Sequence, residues 1–159
     1  MEREQLEQLA TELVDAAMSV HRELGPGLLD SAYEMALCRE LSLRSIAFER
    51  QKPMSVSYKG ALLDCGYRIG LLVEQAIVVE LKAVDGLAPI HEAQLFTYLK
   101  LAGCHLGFLI NFNSRLLKHG LKRIVFRLPE ITAEPVVLQS SAASSPLRSF
   151  AVIPHESLP

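Results

Sequence analysis

A carboxylate and a lysine stand two residues apart at the end of an apolar segment. Residues 76 to 82 are typical of a buried strand that ends in Glu80, Leu81 and Lys82. Since side chains alternate along a strand, we expect Glu80 and Lys82 on one face and Leu81 in the opposite layer. A carboxylate can hold a divalent metal ion and a lysine can orient or activate water. The spacing therefore predicts half of a hydrolytic site.

The preceding strand, about residues 67 to 73, lacks the other half. A metal site of this kind needs a second carboxylate from the neighbouring strand, and this chain has Gly70 there. Asp64 and Glu74 have the same parity but lie six and four residues away, roughly 20 and 13 Å along a strand. A glycine in a strand can also mark a bulge or a close backbone approach, so rescue by another group stays open.

Bulk composition limits the classes of function. The chain has 159 residues, which fits one domain. Half of the residues are hydrophobic and the mean hydropathy is +0.23, which predicts a buried sheet or a subunit interface. No apolar run approaches the roughly 20 residues of a membrane helix. The net charge of −2 gives no global argument for nucleic-acid binding. Three isolated cysteines and a charged N-terminus favour a cytoplasmic location.

Hydrophobic periodicity predicts helices over about residues 3 to 23, 29 to 44 and 90 to 102. Asp30 and Ser31 are expected to cap the second helix. Strands are predicted over about residues 48–51, 54–58, 61–65, 67–73, 76–82, 105–111 and 121–128. This order predicts an α/β (α+β) fold with a mixed central sheet flanked by helices.

The segment from Pro129 onward is rich in serine and proline. We therefore expect one domain over residues 1–128 and a flexible C-terminal extension over residues 129–159. Apolar residues 136–138 and 150–153 are candidate anchors for that extension. Docking of such anchors on a neighbouring subunit would make the protein a homo-oligomer.

Five segments, in order along residues 10 to 128, resemble one known family. They are Gly27–Tyr33 (GLLDSAY), Asp64–Val73, Glu80–Val84, Pro89–Lys100 and Leu109–Asn113. The chain resembles the GxxExxY group of the PD-(D/E)XK nuclease-like superfamily. The resemblance implies a restriction-endonuclease-like sheet between helices and a site for Mg²⁺-dependent phosphodiester cleavage, with Mn²⁺ as the alternative ion.

The resemblance also implies roles for four residues near the predicted metal. Glu80 would be a ligand through its carboxylate and Leu81 through its backbone carbonyl. Lys82 would position the attacking water or stabilise the charged phosphate. Asp30 stands where the family has a glutamate and would reach toward the metal, although its side chain is one methylene shorter.

Gln94 and Tyr98 resemble the Gln-x-x-x-Tyr element of related nucleases, which supports the site and contacts substrate. They lie four residues apart, so both are expected on one face of the predicted helix. Gly70 differs from the family pattern, because the family has a metal-holding aspartate at this position.

Two interpretations of function stay open. The chain is either a Mg²⁺- or Mn²⁺-dependent nuclease of DNA or RNA, or a nuclease fold that is catalytically weak or inactive and acts as a self-assembling or binding module. Gly70 and the apolar composition favour the second interpretation. A basic stretch over residues 118–127 could contact phosphates, although a solvated face is the default for such a stretch.

Overall fold

The structure is a computed structural model that describes residues 1–127. Three α-helices, one short 3₁₀ helix (Leu117–His119) and five strands make up its regular elements. Their bounds are α1 Arg3–Leu24, α2 Asp30–Leu43, β1 Phe48–Tyr58, β2 Ala61–Val73, β3 Ile77–Lys82, α3 Pro89–Ala102, β4 Leu106–Asn111 and β5 Leu121–Val125. The predicted extension and its two apolar anchors lie outside the described residues.

The five strands form one mixed sheet in the order β1-β2-β3-β4-β5. Neighbouring strands are antiparallel except for β3 and β4, which are parallel and are connected through α3. A parallel pair needs such a crossover because its two strands start at the same end of the sheet. The predicted mixed sheet flanked by helices is confirmed.

Each face of the sheet has its own apolar layer. Helices α1 and α2 cover one face, where Leu13 and Leu37 pack near Leu71 and Val79. Helix α3 covers the other face, and its layer contains Ile69, Leu72, Val78, Leu95, Leu99 and Leu109. Leu81 belongs to the first layer, as the predicted alternation at the end of β3 requires of it.

The predicted breaks within the first two strands are wrong. Residues 48–51 and 54–58 form one strand, β1, and residues 61–65 and 67–73 form one strand, β2. A change of register between Met54 and Val56 keeps the pair together. Pro53 is compatible with β1 because β1 is an edge strand, where amides that face away from β2 make no ladder bond.

One smaller prediction, on the start of α2, also differs from the structure. The residue before α2 is Leu29, so Asp30 is the first helical residue rather than a cap, and its carboxylate accepts the Ser31 amide at 2.8 Å.

The basic stretch over residues 118–127 contains two ion-paired side chains. Arg123 pairs with Glu7, and Lys122 pairs with Glu92. These ion pairs reduce the positive charge available for phosphate. Among residues 1–127, no helix is long and apolar enough to cross a membrane.

Candidate functional site

The candidate site lies where β3 ends. Glu80 is partly buried and Lys82 is partly exposed, two residues further along the same strand. Lys82 forms no salt bridge within residues 1–127, but its charge acts on Glu80. Burial raises the pKa of the Glu80 carboxyl, while the Gly70 amide and the Lys82 charge partly offset that rise.

Gly70 faces Glu80 from the neighbouring strand. Leu71 of β2 pairs with Val79 of β3. The residue before Leu71 is Gly70, and its amide donates to Glu80 Oε1 at 3.1 Å. A Cβ atom at position 70 would lie 3.3 Å from the Val79 carbonyl oxygen and 3.5 Å from Glu80 Oε1. An acidic side chain at position 70 would thus begin beside the Glu80 carboxylate. Because the residue is glycine, no second carboxylate comes from β2 at this place.

Glu34 on α2 is a site residue that the sequence analysis missed. Its Oε2 would lie 3.9 Å from a Cβ at position 70, so it comes to the same place as Glu80 from the opposite layer. Its relative exposure is only 9%, which is unusual for a carboxylate. The available signal was its position three and four residues before Leu37 and Cys38, which places it on the inner side of the helix.

Two side chains of β1 already bind the Glu34 carboxylate. Arg50 Nε donates to Oε1 at 3.0 Å and Gln51 Nε2 donates to Oε2 at 2.9 Å. Both oxygens are therefore engaged by protein donors. Arg50 also lies near Cys38, whose thiol has its pKa raised to about 11 by burial despite that positive charge.

The predicted metal ligands Asp30 and Leu81 lie beside Glu34. All three line a cavity of about 280 Å³ together with Ser31, Arg50 and Gln51. Asp30 is exposed at the start of α2, one helical turn before Glu34. Of the two acidic residues on this face of α2, Glu34 is thus the buried one with side-chain partners.

Helix α3 brings Tyr98 to the other side of the site. Burial raises the pKa of the Tyr98 hydroxyl, and the nearby Glu80 charge raises it further. Tyr98 contacts Tyr67 of β2 edge to face, with ring centroids 6.4 Å apart. Gln94, one turn earlier, is exposed and makes no side-chain hydrogen bond within the described residues. The structure thus brings Tyr98 to the site and leaves Gln94 at its edge.

Gly107 fixes how closely α3 approaches the sheet. A Cβ atom on this residue of β4 would lie 2.9 Å from Leu95 Cδ1 and 3.2 Å from Leu99 Cδ2. The absence of a side chain therefore lets α3 pack directly on β4. This close packing sets the position of Tyr98, which lies on the same helix.

Asn111 holds the loop that follows Lys82. It pairs with Lys82 across the parallel strands β3 and β4. Its Oδ1 accepts the Val84 amide at 3.1 Å and its Nδ2 donates to the Val84 carbonyl at 2.9 Å. Because Asn111 is buried, these bonds fix the path of the chain directly after the site lysine.

Tyr33 holds the turn between α1 and α2. Its hydroxyl donates to the Gly25 carbonyl at 2.5 Å and accepts the Leu28 amide at 3.1 Å. Its ring stacks on Phe112, with centroids 4.7 Å apart and planes inclined by 10°. Gly25 and Gly27 have φ of +65° and +107°, which favour glycine. The first and last residues of the GLLDSAY segment are therefore structural.

The donor set does not fit a Mg²⁺ ion well. Mg²⁺ needs near-octahedral oxygen ligands at about 2.1 Å. Glu34 has both oxygens engaged, Glu80 Oε1 accepts the Gly70 amide, and position 70 supplies no oxygen. Within residues 1–127 no group of three or more histidine, cysteine or acidic side chains is arranged to hold a metal ion.

A mixed five-stranded sheet between helices, with Glu80 and Lys82 at the end of a central strand, is a restriction-endonuclease-like fold. A family model described as the PD-(D/E)XK nuclease superfamily matches residues 7–124. The chain belongs to this superfamily, whose nucleases generally use Mg²⁺ or Mn²⁺. No curated protein and no solved structure matches the chain.

Proposed function

We propose that this protein is a GxxExxY-type nuclease-fold protein that is catalytically weak or inactive and acts as a self-assembling module in the cytoplasm. The observation that supports weak catalysis best is the pairing of two features at one place. Gly70 supplies no carboxylate, and the nearest buried carboxylate, Glu34, is already bound by Arg50 and Gln51. Few oxygens are left for a metal ion.

Self-assembly is supported by a hairpin that extends beyond the sheet. Residues 54–68 of β1 and β2, here called the hairpin arm, pair with each other, whereas β2 pairs with β3 only from Leu71 to Val73. All residues from Ala61 to Arg68 are exposed. Within the described residues, both edges of the arm therefore present unpaired backbone groups.

The hairpin arm also exposes apolar side chains, namely Tyr58, Leu62, Leu63 and Tyr67. An isolated two-stranded hairpin is only marginally stable in water. Unpaired strand edges readily pair with another chain. A second copy of the arm would supply both a partner edge and apolar cover, so we infer that the arm joins two copies.

The test of catalysis is a nuclease assay on single- and double-stranded DNA and RNA. With Mg²⁺ or Mn²⁺, the wild-type protein is expected to give no cleavage above that of a Lys82→Ala variant or of an EDTA control. The reason is that metal-assisted hydrolysis needs the ion to be held beside the attacking water. Cleavage that disappears both with EDTA and in Lys82→Ala would contradict the proposal.

That contradicting result would establish the second candidate function, a metal-dependent nuclease. One observation favours it: Glu80, Lys82 and Tyr98 occupy one end of the sheet, and Glu34 approaches from the other layer. The assay therefore decides between the two candidates.

The test of assembly is the molar mass of the protein in solution, measured by size-exclusion chromatography with light scattering. We expect a dimer for the wild type and a monomer for Leu62→Lys, because the 78% exposed Leu62 lies on the hairpin arm. The matched control is Leu43→Lys, which changes a 61% exposed leucine at the end of α2 and should remain a dimer. A monomeric wild type, or equal masses for both variants, would overturn the assembly model.

A further inference from the structure

We propose that Arg50, assisted by Gln51, acts as the built-in counter-cation of Glu34 and takes the electrostatic role that a divalent ion has in related nucleases. This inference rests on the proposed loss of metal-dependent chemistry and deepens it. The site would then be complete without a metal, rather than simply lacking one ligand. Restoring the missing carboxylate alone would not restore metal binding.

The first support is that both oxygens of the buried Glu34 carboxylate accept hydrogen bonds from protein side chains. A carboxylate that is buried as deeply as Glu34 needs charge and hydrogen-bond partners. Arg50 supplies the charge and one hydrogen bond, and Gln51 supplies the other. Each Glu34 oxygen keeps one free lone pair, so a metal ion that bound there would have to lie close to the Arg50 guanidinium or displace it.

The second support is the backbone of Gln51. Its φ is +50°, a left-handed conformation that residues other than glycine rarely adopt. Arg50 pairs with Leu71 and Lys52 pairs with Ile69, so Gln51 lies opposite Gly70. The unusual conformation and the missing carboxylate therefore occur at one point of the β1–β2 pair, where the Gln51 side chain reaches Glu34.

The third support is the balance of charge. The carboxylates Glu34 and Glu80 are matched by two cations, Arg50 and Lys82. An ion bound to Glu34 Oε1 at about 2.1 Å would lie within roughly 5 Å of Arg50 Nε, which donates to that same oxygen. The repulsion at this separation opposes metal entry while Arg50 stays in place.

The experiment combines two substitutions and measures Mn²⁺ affinity by calorimetry. Gly70→Asp alone should bind Mn²⁺ about tenfold or more weakly than Gly70→Asp combined with Arg50→Gln, an effect of the size seen when groups around metal ligands change. The matched control is Gly70→Asn with Arg50→Gln, which has nearly the same shape without the new charge and should bind Mn²⁺ more weakly than Gly70→Asp with Arg50→Gln. Equal affinity with and without Arg50, or no binding by the double variant, overturns the inference.

A second measurement keeps the test valid if an aspartate at position 70 prevents folding. Millimolar Mn²⁺ should raise the melting temperature of Arg50→Gln, but not that of wild type or of Arg50→Lys, which keeps the positive charge. An equal response of all three proteins counts against Arg50. Failure of the proposed function is seen separately, as metal-dependent cleavage by the wild type.

Discussion

Truncation of Tyr33 to alanine is expected to lower the free energy of unfolding by about 4 kcal/mol, as for other large aromatic truncations in cores. Tyr33 is fully buried and stacks on Phe112. The truncation would leave a cavity under α2 and would free the Gly25 carbonyl and the Leu28 amide. Urea denaturation followed by circular dichroism measures the change.

The matched control is Tyr33→Phe, which keeps the stacked ring and removes only the hydroxyl. It should cost about 1 kcal/mol, the usual worth of a hydrogen bond in a protein. A Tyr33→Ala variant no less stable than Tyr33→Phe would show that the ring does not support the fold. Since Tyr33 lies beside Glu34 in the sequence, any nuclease activity should be compared only between folded variants.

Replacement of Asn111 by alanine is expected to destabilise the protein by about 3 kcal/mol, because it removes several hydrogen bonds and leaves buried polar groups unpaired. The lost bonds are those to the Val84 amide and carbonyl and to the Asn113 amide. Thermal unfolding of the wild type and the variant measures the loss.

The control for this prediction is Asn113→Ala. The Asn113 side chain makes only a long hydrogen bond of 3.4 Å to the Val84 carbonyl, so its loss should cost less than 1 kcal/mol, near the weaker limit for hydrogen bonds. Equal destabilisation by both variants would mean that Asn111 does not hold the loop after Lys82.

The helices and the central strands could be predicted because their apolar periodicity is regular. For α3, residues 90 to 102 were predicted and Pro89–Ala102 was found, with Gly103 ending the helix in a left-handed conformation. The long strands β1 and β2 could not be predicted as such. Pro53 and Gly66 normally interrupt a strand, and only the register change seen in the structure shows how the pair continues.

The candidate site was predicted less completely than the fold. The alternation of Glu80, Leu81 and Lys82 followed from strand geometry alone. The approach of Glu34 depends on how α2 packs across the sheet, and its contacts with Arg50 and Gln51 occur where β1 has the left-handed backbone of Gln51. Helical spacing can place Glu34 on the inner side of α2, but it does not show which strand or side chain Glu34 meets there. The family resemblance therefore indicated Asp30 as the helix carboxylate, while the structure presents Glu34 in the deeper position.

At position 70, the residue that suits a stable fold differs from the residue that suits hydrolysis. Gly70 belongs to neither apolar layer, and a Cβ atom added there would meet the Val79 carbonyl oxygen and the carboxylates of Glu80 and Glu34. An aspartate there would add a like charge whose Cβ lies within about 4 Å of Glu34 and Glu80, a repulsion that a bound cation would reduce. Selection for a stable fold and selection for hydrolysis therefore act in opposite directions at this position, as at many functional sites.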